Sequence, residues 1–144
     1  MGEMIVKVAI YETLTDPARE IRKKVFIDEQ GFQEEYDETD EAAVHFVLFE
    51  DERFPIATCR VFWNQEMNAY TLGRLAVIAK SRGKHIGSIL VHEVEKYVRL
   101  RGGTEIVLHA QCRAVPFYGK LGFAEFGSVQ EEEGCPHIWM RKLL

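Results

Sequence analysis

Residues 86–98 carry the clearest pattern in the chain. Ile86, Ile89, Leu90, Val94, Tyr97 and Val98 recur at helical spacing and predict a helix with one buried face. Glu95 and Arg99 are read as an i,i+4 ion pair on its other face, and Gly102-Gly103 ends it. A second helical pattern, "PAREIRKKVFIDEQ", puts Ala18, Ile21, Val25 and Phe26 on one side. Asp16-Pro17 supplies its N-cap and first position, and Gly31 a left-handed C-cap. "MIVKVAIYE" alternates and is rich in β-branched residues, so it predicts a strand. "AAVHFVLFE" and "FPIATCRVFWN" flank the turn "DER" as an antiparallel hairpin. "YTLGRLAVI" is a further strand, in which Gly73 signals a bulge or a close backbone approach. "TEIVLHA" follows as a short buried strand. "RAVPFYGKLG" is a short helix with Pro116 in its first turn and Gly122 at its end, and "FAEFG" and "PHIWMRKL" are final strands.

The order is strand, helix, three strands, helix, strand, short helix, two strands. It implies an α/β (α+β) fold in which a mixed sheet is covered by helices on both faces. The length, 144 residues, fits a single domain over 1–144.

Composition narrows the functional classes. A net charge of -5 argues against a general nucleic-acid surface, which needs a clustered cationic face. Cys59, Cys112 and Cys135 form no CxxC pair, so a disulfide framework or zinc site is not expected, and a reducing cytoplasm is. No apolar run approaches the roughly 20 residues of a membrane span, and "MGEMIVKVAI" is too short and too acidic for a signal peptide. "EEYDETDE" (34–41) is read as a solvated loop, as is "EEE" (131–133). If both border a cleft, they would steer a cationic amine such as a polyamine, an aminoglycoside or a lysine-bearing substrate.

The loop "SRGKHIGSIL" (81–90) leaves a strand and enters a helix. Unpaired N–H groups and the helix dipole make such a terminus a phosphate site. A P-loop is excluded because Gly87 is followed by Ser88 and Ile89, not by Lys and Ser/Thr. A dinucleotide fingerprint is excluded by the glycine spacing and by the loop's late place in the chain.

The loop resembles the pyrophosphate-binding motif of the GCN5-related N-acetyltransferases, Gln/Arg-x-x-Gly-x-Gly/Ala, with Arg82 first and Gly87 last. His85 departs from it by standing in place of the middle glycine, a change tolerated if residue 85 keeps helical φ and projects its ring outward. "LGRLAVIAKSRG" resembles the family's fourth strand, and "AVPFYGKLGF" its late A-x-x-FY-x-K-x-GF segment. "RKKVFIDEQGF" and "PHIWMR" are similar to the small bacterial subgroup related to ElaA and YjcF.

The resemblance implies a mostly antiparallel sheet with a splayed strand pair, and direct acetyl transfer from acetyl-CoA to a primary amine of a small molecule or peptide. Leu75, Ala76 and Val77 would line the pantetheine arm. Arg82, Gly83, Lys84, His85, Ile86, Gly87 and Ser88 would hold the pyrophosphate. Tyr118 is implied as general acid. Glu29 and His109 are candidate bases, beside a water chain with no dedicated base, and His45 and Gln111 are further polar residues to consider. A lysine-like amine, with pKa about 10.4, is neutral in roughly one molecule in a thousand at pH 7, a cost of about 4–5 kcal/mol that a base or desolvation must offset. Cys112 has His109 nearby but no third orienting group, so direct transfer is preferred over a covalent intermediate. His137 fits either a structural or a substrate-binding role. The resemblance also admits a homodimer, with Trp139 or Phe126 contributing. The competing reading is a CoA-binding sensor or interaction module with little transferase activity.

Overall fold

A computed structural model describes residues 4–33 and 35–144. Residues 1–3, part of the leader reading, and Glu34, part of the acidic run, lie outside the described residues. The strands are β1 (Val6–Tyr11), β2 (Val44–Glu50), β3 (Phe54–Asn64), β4 (Ala69–Val77), β5 (Glu105–Gln111), β6 (Ala124–Glu132) and β7 (Cys135–Leu143). The α-helices are α1 (Asp16–Arg22), α2 (Thr39–Ala42), α3 (Ile86–Leu100) and α4 (Val115–Lys120). The seven strands form one sheet in the order β1-β2-β3-β4-β5-β7-β6, antiparallel throughout except for β4 against β5. Among the described residues no helix is long and apolar enough to cross a membrane.

Strand β2 explains the layering. Phe46 and Leu48 pack with Leu90, Val94 and Val98 of α3, whereas Val47, between them, packs with Ala18, Ile21 and Val25 on the α1 side. Successive strand side chains point to opposite faces, so both faces are covered and β2 is apolar on both. This matches the arrangement expected from the element order.

The structure corrects three local expectations. Thr15, not Asp16, is the N-cap of α1: its hydroxyl accepts from the Ala18 N–H, and Asp16 falls in the first turn. Asp16 and Thr15 are both good caps, and only the backbone geometry separates them. Beyond Arg22 the helix widens into π turns over Lys23–Glu29 before Gly31 (φ +79°) ends it. Glu95 is buried rather than solvated, with 4% exposure, because β7 brings Lys142 to 3.0 Å from its carboxylate, while Arg99 stays at 3.7 Å.

The acidic run departs furthest from expectation. It folds inward around α2. Asp40 is 2% exposed, and Glu35, Asp37 and Asp40 together meet Arg22, Arg60 and Arg74. Arg22 is 1% exposed and is gripped bidentately by Asp40, at 2.7 and 3.0 Å. Three guanidinium groups from α1, β3 and β4 therefore replace water around these carboxylates.

Candidate active site

β4 and β5 pair only at Tyr70–Ile106, Thr71–Val107 and Leu72–Leu108. Beyond Leu72 the strands part: β4 continues along β3 to Val77, and β5 continues along β7 to Gln111. Between Thr58–Ala76 and Arg60–Gly73 the register shifts, so Arg74 and Leu75 oppose the single residue Cys59. This bulge, with Arg74 at φ +52°, bends β4 away from its neighbour. Gly73 was the cue for it, although the left-handed residue is Arg74. The V between the strands holds a cavity of about 780 Å³, lined by residues 72–77 of β4, residues 108–111 of β5, the loop into α3, and Phe117 and Tyr118 of α4.

At one end of the cavity, α3 presents its N-terminus with no side-chain cap. Gly83 (φ +79°) and His85 (φ +61°, ψ 21°) shape the approach. His85 thus adopts the left-handed conformation that a glycine would serve, not the helical φ expected of it, while its ring is exposed as anticipated. Gly87 owes its small size to a neighbour: a Cβ there would lie 3.0 Å from Phe117 Cζ, so α4 packs directly on this turn. Arg82 donates from Nε to the Val77 carbonyl (2.9 Å) and forks onto Glu29 at 2.5 and 2.7 Å. Those hydrogen bonds hold the Glu29 carboxyl below its ordinary range.

Left-handed φ costs a residue with a Cβ roughly 1–2 kcal/mol, and the glycine loses part of that gain through its freer unfolded state. His85→Gly should therefore raise stability by about 0.5–1 kcal/mol in urea unfolding. The affinity for acetyl-CoA, measured by titration calorimetry, should hold or tighten. A tenfold loss would instead assign the imidazole to phosphate binding.

At the other end, Glu132 stands between two imidazoles. Its carboxylate is 3.0 Å from His109 Nδ1 and 3.8 Å from His137 Nε2. His109 stacks on Trp139 (4.7 Å between centroids), and burial pushes its pKa down against the opposing pull of Glu132. Its Nε2 has no partner among the described residues. Trp139 is thereby packed between His109 and Phe126 rather than free on the surface. Gln111 bonds Gln30 at 2.8 Å, and Glu133 accepts the Gln33 N–H at 3.1 Å, so the turn after the π segment is tied to both β5 and the β6–β7 hairpin. Tyr118 is buried between Phe117 and Phe123, and burial raises its phenol pKa.

The expected loop apart from Lys84, with Leu75–Val77, His109 and Tyr118, therefore lines one cavity, while Glu29 reaches it through Arg82. His45 is elsewhere, buried with its Nε2 2.9 Å from the Asp40 carbonyl. Arg74 and Gln30 were not singled out from sequence, and Glu132 only as part of the acidic "EEE", which does border the cavity. The signal for Arg74 was a long cation beside the glycine of a predicted bulge.

A strand pair that splays over an uncapped helix N-terminus is the acyl-CoA transferase arrangement, and the comparisons agree. The chain belongs to the acetyltransferase (GNAT) domain family, whose model matches residues 11–144, and it is an acyltransferase. It is 31% identical over 85% of its length to YjcF of Bacillus subtilis, an uncharacterized N-acetyltransferase, covering 87% of that protein. Escherichia coli ElaA shares the fold with a TM-score of 0.80 at 23% identity, over 97% of this chain and 99% of that one. An aminoglycoside 6'-N-acetyltransferase complexed with coenzyme A does so with a TM-score of 0.70 at 18% identity, over 95% and 96%.

Proposed function

We propose that residues 1–144 form one N-acetyltransferase domain that uses acetyl-CoA and an amine acceptor. The observation that carries this reading is the parting of β4 from β5 after Leu72 beside the open N-terminus of α3. The free edge of Leu75–Val77 suits an extended amide-bearing arm, and the N–H groups of Ile86, Gly87 and Ser88 suit a pyrophosphate, with Arg82 at the loop paired to Glu29 and Lys84 exposed just outside the cavity lining. Bound acetyl-CoA supplies the activated acetyl group, so the chain has to position, desolvate and move protons.

His109 takes the role of base. Its lowered pKa keeps the imidazole neutral at pH 7, and Glu132 on Nδ1 fixes the tautomer in which Nε2, buried and unpartnered, is the acceptor, so side chains have to part as the amine reaches it. Glu29, kept ionised by Arg82, is a weak proton acceptor, and we assign it to holding Arg82 at the loop. Tyr118 is the proton donor to the departing thiolate. Three unpaired cysteines fit a cytoplasmic setting, and a homodimer is the assembly we propose.

Ligand that binds only the native state stabilises it by about 2.7 kcal/mol at a hundred times Kd, or roughly 5–10 °C in Tm for a chain of this size. Acetyl-CoA and CoA should each produce such a shift, and ATP with magnesium should not. Acetyl-CoA should then release thiol in the presence of an accepted amine. Equal shifts from ATP, or no shift from CoA, would sink the reading.

A further inference from the structure

Charges of both signs line the V: Arg74 and Glu35 towards β4, and Glu132, Glu133 and Arg113, the last held on Gln111, towards β5. On the β4 arm, Arg74 lines the cavity with its side chain 29% exposed. On the other arm, Glu132 and Glu133 line the same cavity beside His109 and His137. We infer that the acceptor is an amine that also carries a carboxylate, an amino acid in the first instance, with its carboxylate on Arg74 and its amino group on the Glu132 side. This rests on the acetyltransferase reading above and names the acceptor class for it.

The arginine network leaves Arg74 as the cation with capacity to spare. Arg22 uses all three nitrogens: Nε on Glu35 (2.5 Å), Nη1 on Asp40 (2.7 Å), and Nη2 on Asp40 (3.0 Å) and the Glu35 carbonyl (2.8 Å). Arg60 takes Asp37 through Nη1 (2.5 Å) and Nη2 (3.1 Å), and Asp40 through Nη1 (3.1 Å). Arg74 is left with a neutral carbonyl, that of Glu35 (2.8 Å), and one contact of 3.2 Å to an Asp37 oxygen already used by Arg60. Its Nη1 makes no hydrogen bond to any described residue. The direction of titration agrees. Burial and the nearby Arg60 charge push Arg74 down, whereas Asp40 and Glu35 overcome burial and push Arg22 up.

A guanidinium offers five donors in a planar fork that matches a carboxylate. This one stands on a left-handed bulge residue, a conformation retained where the surroundings over-determine it and often at functional positions. The opposite arm favours an ammonium. A simple amine satisfies one arm only, and a polyamine would bring its second cation against Arg74. An amine with a carboxylate answers both.

The test uses the full chain with acetyl-CoA and three matched acceptor series: the twenty common amino acids, their α-amides, and a set of ω-amino acids with the corresponding alkylamines. Arg74→Gln and Arg74→Lys are run beside the wild type, with unfolding curves and acetyl-CoA thermal shifts to show that each is folded and binds acetyl-CoA. The expected result is at least one carboxylate-bearing acceptor whose kcat/KM exceeds that of its uncharged partner tenfold or more, mainly through KM. In Arg74→Gln that ratio should fall close to one, and Arg74→Lys should keep part of it. As a readout independent of turnover, the N-acetylated form of the preferred acceptor should stabilise the CoA-saturated wild type but not Arg74→Gln. Amides or alkylamines preferred throughout, or no carboxylate-bearing acceptor acetylated while acetyl-CoA still shifts Tm, would overturn the proposal and leave the transferase reading standing. An unchanged ratio in Arg74→Gln would overturn it as well. Absence of any acetyl-CoA shift in the wild type would bring down both.

Discussion

Asp40→Ala is expected to remove about 3 kcal/mol of stability, the low end of the cost of breaking a buried pair, because two buried cations lose the carboxylate they share. Asp40 accepts from Arg22 at 2.7 and 3.0 Å and from Arg60 at 3.1 Å, and both arginines are almost wholly buried. Alanine takes away the carboxylate that the two share, leaving Arg22 with Glu35 and Arg60 with Asp37 and the buried cluster one negative charge short. Surface pairs such as Lys7–Glu52, at 3.7 Å and well exposed, should cost well under 1 kcal/mol when broken. Urea unfolding of the two single variants side by side checks the contrast, and a loss below 1 kcal/mol for Asp40→Ala would refute the account.

The pH dependence has a fixed sign. Burial pushes the Asp40 carboxyl up, but hydrogen bonds from Arg22 and the Asp37 N–H, with the charges of Arg22 and Arg60, outweigh it and hold it far below the usual range. Asp37 is depressed in the same way, with Arg60 and Arg74 overcoming burial. A folded pKa below the unfolded value, about 3.9, gives stability that is fully present above that value and is lost as pH falls through the folded pKa. Acid unfolding should therefore steepen below about pH 4 in the wild type and flatten in Asp40→Asn.

This network also shows where sequence reasoning reached its limit. The apolar stripe Ala18, Ile21, Val25, Phe26 was legible because helical spacing is local, and all four residues are buried. The same stripe contains Arg22, and the buried run of β3 contains Arg60. A long cation inside an apolar pattern signals a buried counter-charge, but nothing local says that it lies 18 or 20 residues away in an acidic run. Such runs are usually solvated, as Glu38 and Glu41 are here, but Glu35, Asp37 and Asp40 turn inward because three arginines converge on them from separate elements. The parting of β4 and β5 was likewise invisible to periodicity. It depends on which strands become neighbours, and it entered only through the resemblance carried by the loop and "AVPFYGKLGF". His85 marks the complementary case: the sequence exposed the departure from glycine, and only the backbone revealed a left-handed residue.

Tyr118→Phe is expected to lower the single-turnover rate by about 10²–10⁴-fold, the range for removal of a positioned proton donor, while acetyl-CoA affinity stays within a few-fold. The substitution deletes one oxygen and keeps the ring, so the edge contacts with Phe117 and Phe123 persist and the fold should not be disturbed. Burial is the chief cause of the raised phenol pKa, with Cys59 adding to it. The hydroxyl therefore holds its proton throughout the working pH range. A coenzyme A thiolate, with pKa near that of cysteine at about 8.5, is the weaker base, so full proton transfer from Tyr118 would run uphill. In the proposed role the phenol would act first as a hydrogen-bond donor aimed at charge that develops on sulfur, the kind of stabilisation that a water-poor site strengthens. Two consequences separate this role from packing. The loss should appear in the chemical step and not in KM for the acceptor, and it should shrink for thioesters whose leaving thiol has a lower pKa, since those need less stabilisation. A uniform loss across leaving groups, or an unchanged single-turnover rate, would reduce Tyr118 to an aromatic packed beneath the cleft. On the proposed function, a proton taken from the amine by His109 would leave on the opposite arm, past Glu132, whose side chain is 54% exposed. The proposed donor and acceptor of protons would then stand on separate elements, α4 and β5, with the reacting groups between them.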